Sequence, residues 1–163
     1  MKQLLVVYHS MTGAAETLAR AAVEGARGER DVETRLLHAP DASSADVLAA
    51  DGYLFAAPEN LASMAGLMKD FFDRIYYDAL DRVNGRPYAA VIAAGTDGAG
   101  AARQLQRIAT GLRLKEVAPP TIVRNGAQTP AQIRAMKTVP EQHLATARDL
   151  GAALAAGLAA GIF

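Results

Sequence analysis

The chain of 163 residues has no cysteine. That excludes disulfides, thiolate metal sites and a thiol nucleophile, and it leaves any redox chemistry to a borrowed cofactor. Tryptophan is also absent, and aromatic residues make up only 6% of the sequence. Neither sign of charge is in excess: 17 basic and 17 acidic side chains cancel, so nothing in the total steers the protein toward nucleic acid or an anionic membrane. The distribution is less even, with 8 basic and 13 acidic side chains in residues 1–83 and 9 and 4 in residues 84–163. Such asymmetry is expected of solvated helix faces that mix once the chain folds. Long apolar runs are missing as well. Leu4 to Tyr8 is too short for a signal peptide, and the uncharged stretch Leu150 to Phe163 falls short of the roughly 20 residues that span a bilayer. The expectation is a cytoplasmic protein with no membrane span and no nucleic-acid partner.

What is present is a globular balance of 51% hydrophobic and 21% charged residues, in a length that suits one domain, residues 1–163. Leu4-Leu5-Val6-Val7-Tyr8 is a continuous apolar run rich in strand formers, as in a parallel strand covered on both faces. Leu18, Ala22, Val23 and Ala26 then recur at helical spacing, and Gly28 ends that helix. Val32 to Leu37 reads as a strand nearer the sheet edge, stopped by Pro40. Asp46 to Ala50 is a short helix or turn, and Gly52 to Ala57 is another apolar strand, ending at Pro58. Leu67, Met68, Phe71, Phe72, Ile75 and Tyr76 describe a helix with a wide apolar face, in which Phe71 and Phe72 belong to the core. Tyr88 to Ala94 is a fourth strand, and Ala101 to Leu112 a helix with Leu105, Ile108 and Leu112 inward. Val117 to Val123, interrupted by two prolines, makes a less regular last strand. Pro130 to Lys137 holds a short helical turn, and Pro140 to about Gly161 the final helix, with Leu144, Ala147, Leu150, Leu154 and Leu158 facing in. Strands alternating with helices imply an α/β fold with a parallel sheet, helices on both faces and ligands at the carboxyl ends of the strands.

Three loops fall at that edge: Ser10 to Ala15, Pro58 to Met64 and Gly95 to Gly100. In the first, Ser10 and Thr12 offer hydroxyls, Gly13 lets the backbone come close, and the following helix points its free N–H groups at an anion. A phosphate monoester suits this set. There is no Walker-type lysine and no G-x-G-x-x-G pattern, so nucleoside triphosphates and Rossmann-type NAD binding fit poorly. A Thr-Gly pair before a helix is also a common cap.

Tyr8-His9-Ser10-Met11-Thr12-Gly13 resembles the flavodoxin-family phosphate signature, [ST]-x-T-G-x-T after an apolar strand. The resemblance implies a flavodoxin-like three-layer sandwich with a five-stranded parallel sheet in the order 2-1-3-4-5, and a crevice between strands one and three. It implies that Ser10, Thr12 and Gly13, with the backbone of Met11, Ala14 and Ala15, hold the phosphate of flavin mononucleotide (FMN). Ala15 departs from the pattern, since the family usually has a third hydroxyl there. Pro58 to Gly66 followed by Leu67 to Arg74 resembles the corresponding segment of FMN-dependent NAD(P)H oxidoreductases, the quinone reductases of the tryptophan-repressor-binding-protein type. In those enzymes the loop lies against the flavin ring, which maps here to Pro58, Glu59, Asn60, Leu61 and Met64. Gly95, Thr96, Asp97 and Gly98 resemble the third flavin loop, without the aromatic residue that covers the ring in electron-carrier flavodoxins.

The resemblance therefore implies an enzyme that passes electrons from NADH or NADPH through FMN to a quinone or similar small-molecule acceptor. The alternative is a flavodoxin-type electron carrier with no nicotinamide-dependent activity of its own, which gains from a shielded ring and commonly an acidic surface. A response-regulator receiver shares the topology but needs acidic residues after strand one and an aspartate ending strand three, where this chain has His9-Ser10 and Ala57-Pro58. No catalytic acid or base stands out. His9 follows strand one and is placed to reach the pocket, while His38 and His143 have no partner at a recognisable motif spacing, so each histidine reads as a surface or hydrogen-bonded structural residue and no metal site is expected. Arg124-Asn125-Gly126 follows the last strand, where a basic residue can meet a nicotinamide cofactor phosphate, but it reads better as a solvated turn. The residues are compatible with a homo-oligomer.

Overall fold

The structure, a computed structural model, describes residues 1–163. The strands are β1 (Lys2–Tyr8), β2 (Val32–His38), β3 (Gly52–Asn60), β4 (Ser63–Met64), β5 (Pro87–Ala94), β6 (Lys115–Glu116) and β7 (Thr121–Arg124). The helices are α1 (Ala14–Ala26), α2 (Ser44–Ala49), α3 (Gly66–Ala79), α4 (Ala99–Gly111), α5 (Pro130–Arg134) and α6 (Glu141–Ala160), with a 3-10 turn at Ala39–Asp41. The sheet runs β2-β1-β3-β5-β6. All its pairings are parallel except that of β4 with β3.

The apolar runs become central strands because both of their faces are covered. Leu4, Val6, Leu54, Ala56, Val91 and Ala93 pack with α1 and α6 on one side. Leu5, Val7, Tyr53, Phe55, Ala57 and Ile92 pack with α3 and α4 on the other. The alternation follows from the two-residue period of a strand, and each fully buried aliphatic side chain contributes about 1.5–3 kcal/mol. Phe71, Phe72 and Ile75 are buried as the helical spacing predicts, whereas Leu67 and Tyr76 at the flanks of that face are 45% and 41% exposed. On the α1/α6 side the helices come close enough that a Cβ on Gly151 would stand 1.9 Å from the Ala22 carbonyl oxygen. Only a glycine lets two helix backbones approach this closely.

The strand reading differs from the structure at two places. Pro58 does not end its strand: β3 continues to Asn60, with Pro58 in register with Ala93. Proline removes one donor but leaves a carbonyl, and that carbonyl accepts the Ala65 N–H at 3.0 Å. The extension folds back as an antiparallel hairpin, Glu59-Asn60 against Ser63-Met64, through Leu61 and Ala62 at φ 51° and 68°. Two successive left-handed residues are what a tight hairpin turn requires, but neither is a glycine, so sequence offers no hairpin signal. The last strand is split. β6 pairs with the start of β5 and β7 with its end, because the prolines between them cannot donate to a ladder.

Candidate functional site

An open cleft of about 340 Å³ lies at the carboxyl ends of β1, β3 and β5, within the usual size range of small-molecule sites. Its walls come from Ser10, Met11, Thr12, Ala14 and Ala15, from Pro58 to Leu61, and from Ala93 to Thr96, closed by Asn125, Ala127, Ile133 and Lys137. The three loops singled out in the sequence thus meet at one place. Gly13, Met64, Asp97 and Gly98 do not line it.

The first loop forms because Ser10 Oγ accepts the Gly13 N–H at 3.0 Å, closing a turn just before α1. Gly13 sits at φ 95°, where a side chain is strained. Its amide is consumed within the loop, so Gly13 shapes the turn. The N–H groups of Met11, Thr12, Ala14, Ala15 and Glu16 find no acceptor in the chain. Unpaired amides at a helix N-terminus, together with the positive end of the helix dipole, make an anion site. Ala15 is buried, and its N–H serves here even though the side chain carries no hydroxyl. The donor set fits a phosphate monoester.

The second and third loops are held by one carboxylate. Glu59 accepts the Gly98 N–H at 2.9 Å and the Ala101 N–H at 3.0 Å, pinning the β3 hairpin to the N-terminus of α4. Carboxylates are favoured at that end of a helix. Gly98, at φ 96°, turns its amide toward Glu59. Asp97 caps locally, its carboxylate accepting the Ala99 N–H, while its carbonyl accepts Arg124 Nε at 2.7 Å. Met64 is buried in the core on the α3/α4 side of the sheet, and its N–H donates to Gln104 Oε1 at 2.7 Å. It anchors the hairpin from beneath rather than facing the cleft. Asn60 Nδ2 donates to Met11 Sδ at 2.9 Å and so joins the first loop to the second. Between these loops the cleft has small or aliphatic walls, no aromatic side chain, and the free N–H groups of Thr96 and Asp97 nearby. No aromatic side chain covers this space, which is open to the outside.

Six wall residues escaped the sequence reading: Ala93, Ala94, Asn125, Ala127, Ile133 and Lys137. Ala93 and Ala94 are small residues at the end of a strand, a weak signal that was present. Asn125 belongs to a turn whose own sequence looks solvated, yet the turn is tied to the third loop by Asn125 N–H to the Ala94 carbonyl at 2.9 Å and Gly126 N–H to the Gly95 carbonyl at 2.8 Å. Ile133 and Lys137 lie more than a hundred residues from the loop they face, where no local pattern can reveal them.

Two of the three histidines take the hydrogen-bonded structural role expected of them, and His9 does not line the cleft. His9 Nδ1 and His38 Nε2 stand 3.0 Å apart, their rings stacked, at the carboxyl ends of the neighbouring strands β1 and β2. Burial, and then the proximity of His38, push the His9 imidazole below its ordinary value of 6.5. One ring nitrogen donates to the other across this contact, next in sequence to Ser10. Among the cleft residues only Glu59 and Lys137 are ionisable, and the Glu59 carboxylate is already engaged. The site is built to hold and orient a ligand, with no general acid–base pair.

Comparison with known proteins agrees with this geometry. Residues 3–129 match the model of the NADPH-dependent FMN reductase family. A protein named flavodoxin from Aquifex aeolicus is 35% identical over 100 residues, covering 61% of this chain and 54% of that protein. An NAD(P)H dehydrogenase (quinone) from Acidithiobacillus ferrooxidans is 31% identical over 94 residues, 45% of this chain and 47% of that one. The chain spans about half the length of these curated relatives. Among solved structures, a flavodoxin, WrbA-like protein from Agrobacterium tumefaciens superposes with a TM-score of 0.75 at 20% identity, covering 99% of both chains. A flavodoxin from the domain Archaea gives 0.77 at 16% identity, covering 96% and 98%. These two likenesses show the fold, which is flavodoxin-like. The family match spans most of the chain, from the first strand through the three cleft loops, and this protein belongs to the NADPH-dependent FMN reductase family.

Proposed function

We propose that the cleft holds FMN and that the protein passes electrons from NADH or NADPH to a quinone or similar small acceptor. One observation carries this reading: the cleft joins a cluster of unpaired amides to a ring-sized space that no aromatic side chain covers. When bound, FMN supplies the hydride and electron chemistry that a chain without cysteine cannot. The protein's part is positioning. Met11, Thr12, Ala14, Ala15 and Glu16 present N–H groups to the phosphate, and Ser10 holds their loop in shape. Glu59 fixes the two ring-side loops relative to each other. The rim is apolar and accessible, with Met11 66%, Leu61 101% and Ile133 54% exposed, which suits the stacking of a nicotinamide or quinone ring. In this reading residues 1–163 work as one flavodoxin-like domain.

The test is an absorption spectrum of the purified protein, before and after anaerobic addition of NADPH. Flavin bands that bleach on addition are expected. Absence of flavin absorbance, with no change on titration with FMN, would sink the cofactor assignment. A second reading, an electron carrier that docks on protein partners, draws on the relative named flavodoxin. Stopped-flow mixing separates the two, since rapid reduction by a nicotinamide without any added reductase rules out the carrier.

A further inference from the structure

The segment between β7 and α6 forms a strap across the cleft. At one end Asn125 and Gly126 are bonded to the third loop. At the other, the Lys137 N–H donates to the Thr12 carbonyl at 2.8 Å and Lys137 Nζ lies 3.3 Å from Thr12 Oγ1. In between, α5 is closed by a capping box from Thr129 and Gln132 and buries none of its residues, and Met136 lies over Gly13. Lys137 is the one cationic wall residue of the cleft. It lies beyond residue 129, where the family match ends.

We propose that Lys137 is a phosphate ligand of this site, so that the cofactor phosphate is held by a point charge from the strap as well as by the amides of the first loop. The inference rests on the FMN reading above. Nζ also donates to the Ile133 and Ala135 carbonyls, at 2.9 and 2.5 Å, so all three of its protons have neutral acceptors. A phosphate oxygen is a stronger acceptor than any of these. Because Lys137 donates to Thr12 Oγ1, the hydroxyl proton of Thr12 is free to donate to the same phosphate. An ammonium beside Thr12 also offsets the hydroxyl that Ala15 lacks. The positive charge of the C-terminal half thus has a specific use where the first loop has no cation of its own.

The experiment compares FMN with riboflavin, which lacks the phosphate, by fluorescence titration of the apoprotein in wild type, Lys137→Met and Lys137→Arg. Wild type is expected to bind FMN more tightly than riboflavin. Lys137→Met should weaken FMN roughly 10- to 100-fold, as for loss of a charged hydrogen bond, and leave riboflavin within about 2-fold. Lys137→Arg should recover most of the FMN affinity and confirms that charge, not strap packing, is at work. An unchanged FMN affinity in Lys137→Met overturns the inference, as does a fall by the same factor for both flavins, which would mark Lys137 as a clamp of the strap only. If wild type binds neither flavin, the cofactor reading falls and this inference with it.

Discussion

The two ends of the cleft are built by different means. The donors of the phosphate end are local: Ser10 to Glu16 supply a turn, free amides and a helix terminus within seven consecutive residues, and Leu4, Val6, Leu18 and Ala22 anchor them on one side of the sheet. The ring end is assembled from afar. Its hairpin, its third loop and the turn after β7 meet through Glu59, Gly98, Arg124 and Asn125, residues separated by up to 66 positions in sequence. The lesson is that an anion site can be encoded in one short motif because backbone and dipole supply most of the binding, whereas a flat ring must be flanked by surfaces from several elements.

The largest expected effect comes from cutting the ring end at its staple. Glu59→Gln leaves the Gly98 and Ala101 amides short of a charged acceptor and should cost about 2 kcal/mol of stability in urea unfolding. Its FMN and riboflavin affinities should fall together, because only the ring-side loops are disturbed. A selective loss of FMN would mean that the two ends are coupled, and the contrast drawn here would fail.

A smaller effect belongs to the phosphate end and is read through pH. His9 titrates lower when folded than when unfolded, mainly because it is buried and also because His38 stands beside it. As pH falls through about 6.5 the unfolded chain takes up a proton that folded His9 refuses. Stability should therefore decline as pH drops from 7 to 5, and His9→Asn should flatten that slope. A wild-type stability that stays level or rises on acidification would contradict the burial of His9.

The smallest effect concerns the hairpin tip, where Leu61 and Ala62 hold left-handed backbone. Ala62→Gly relieves that strain and should raise stability by up to about 1 kcal/mol, with flavin affinity unchanged or slightly weaker as the ring end loosens. A loss of stability, measured as the urea midpoint, would show that the Ala62 side chain contributes packing that its exposure does not suggest.

Much of this protein was legible in advance, for reasons that differ along the chain. Leu4-Leu5-Val6-Val7 could only be a strand covered on both faces, and the Ser10 to Ala15 loop behind it could only be read as an anion site or a cap. Phe71, Phe72 and Leu105 were placed correctly because helical spacing reports the buried face directly. Met64 was misplaced, since a residue next to a site in sequence can point into the core once a hairpin turns it over. Pro58 misled because a missing N–H ends a strand only where that donor is needed.

The sequence by itself determined the strand-turn-helix unit that presents amides to an anion, because the Ser10–Gly13 turn and the helix N-terminus that form it are local and follow from propensity, glycine and the helix dipole. It also determined the order of alternating elements, from which the parallel sheet follows. Only the tertiary structure decided that Glu59 is a staple, that His9 meets His38, and that Lys137 comes to rest beside Thr12. Those contacts depend on where the crossovers deliver distant segments, and no local periodicity carries that information.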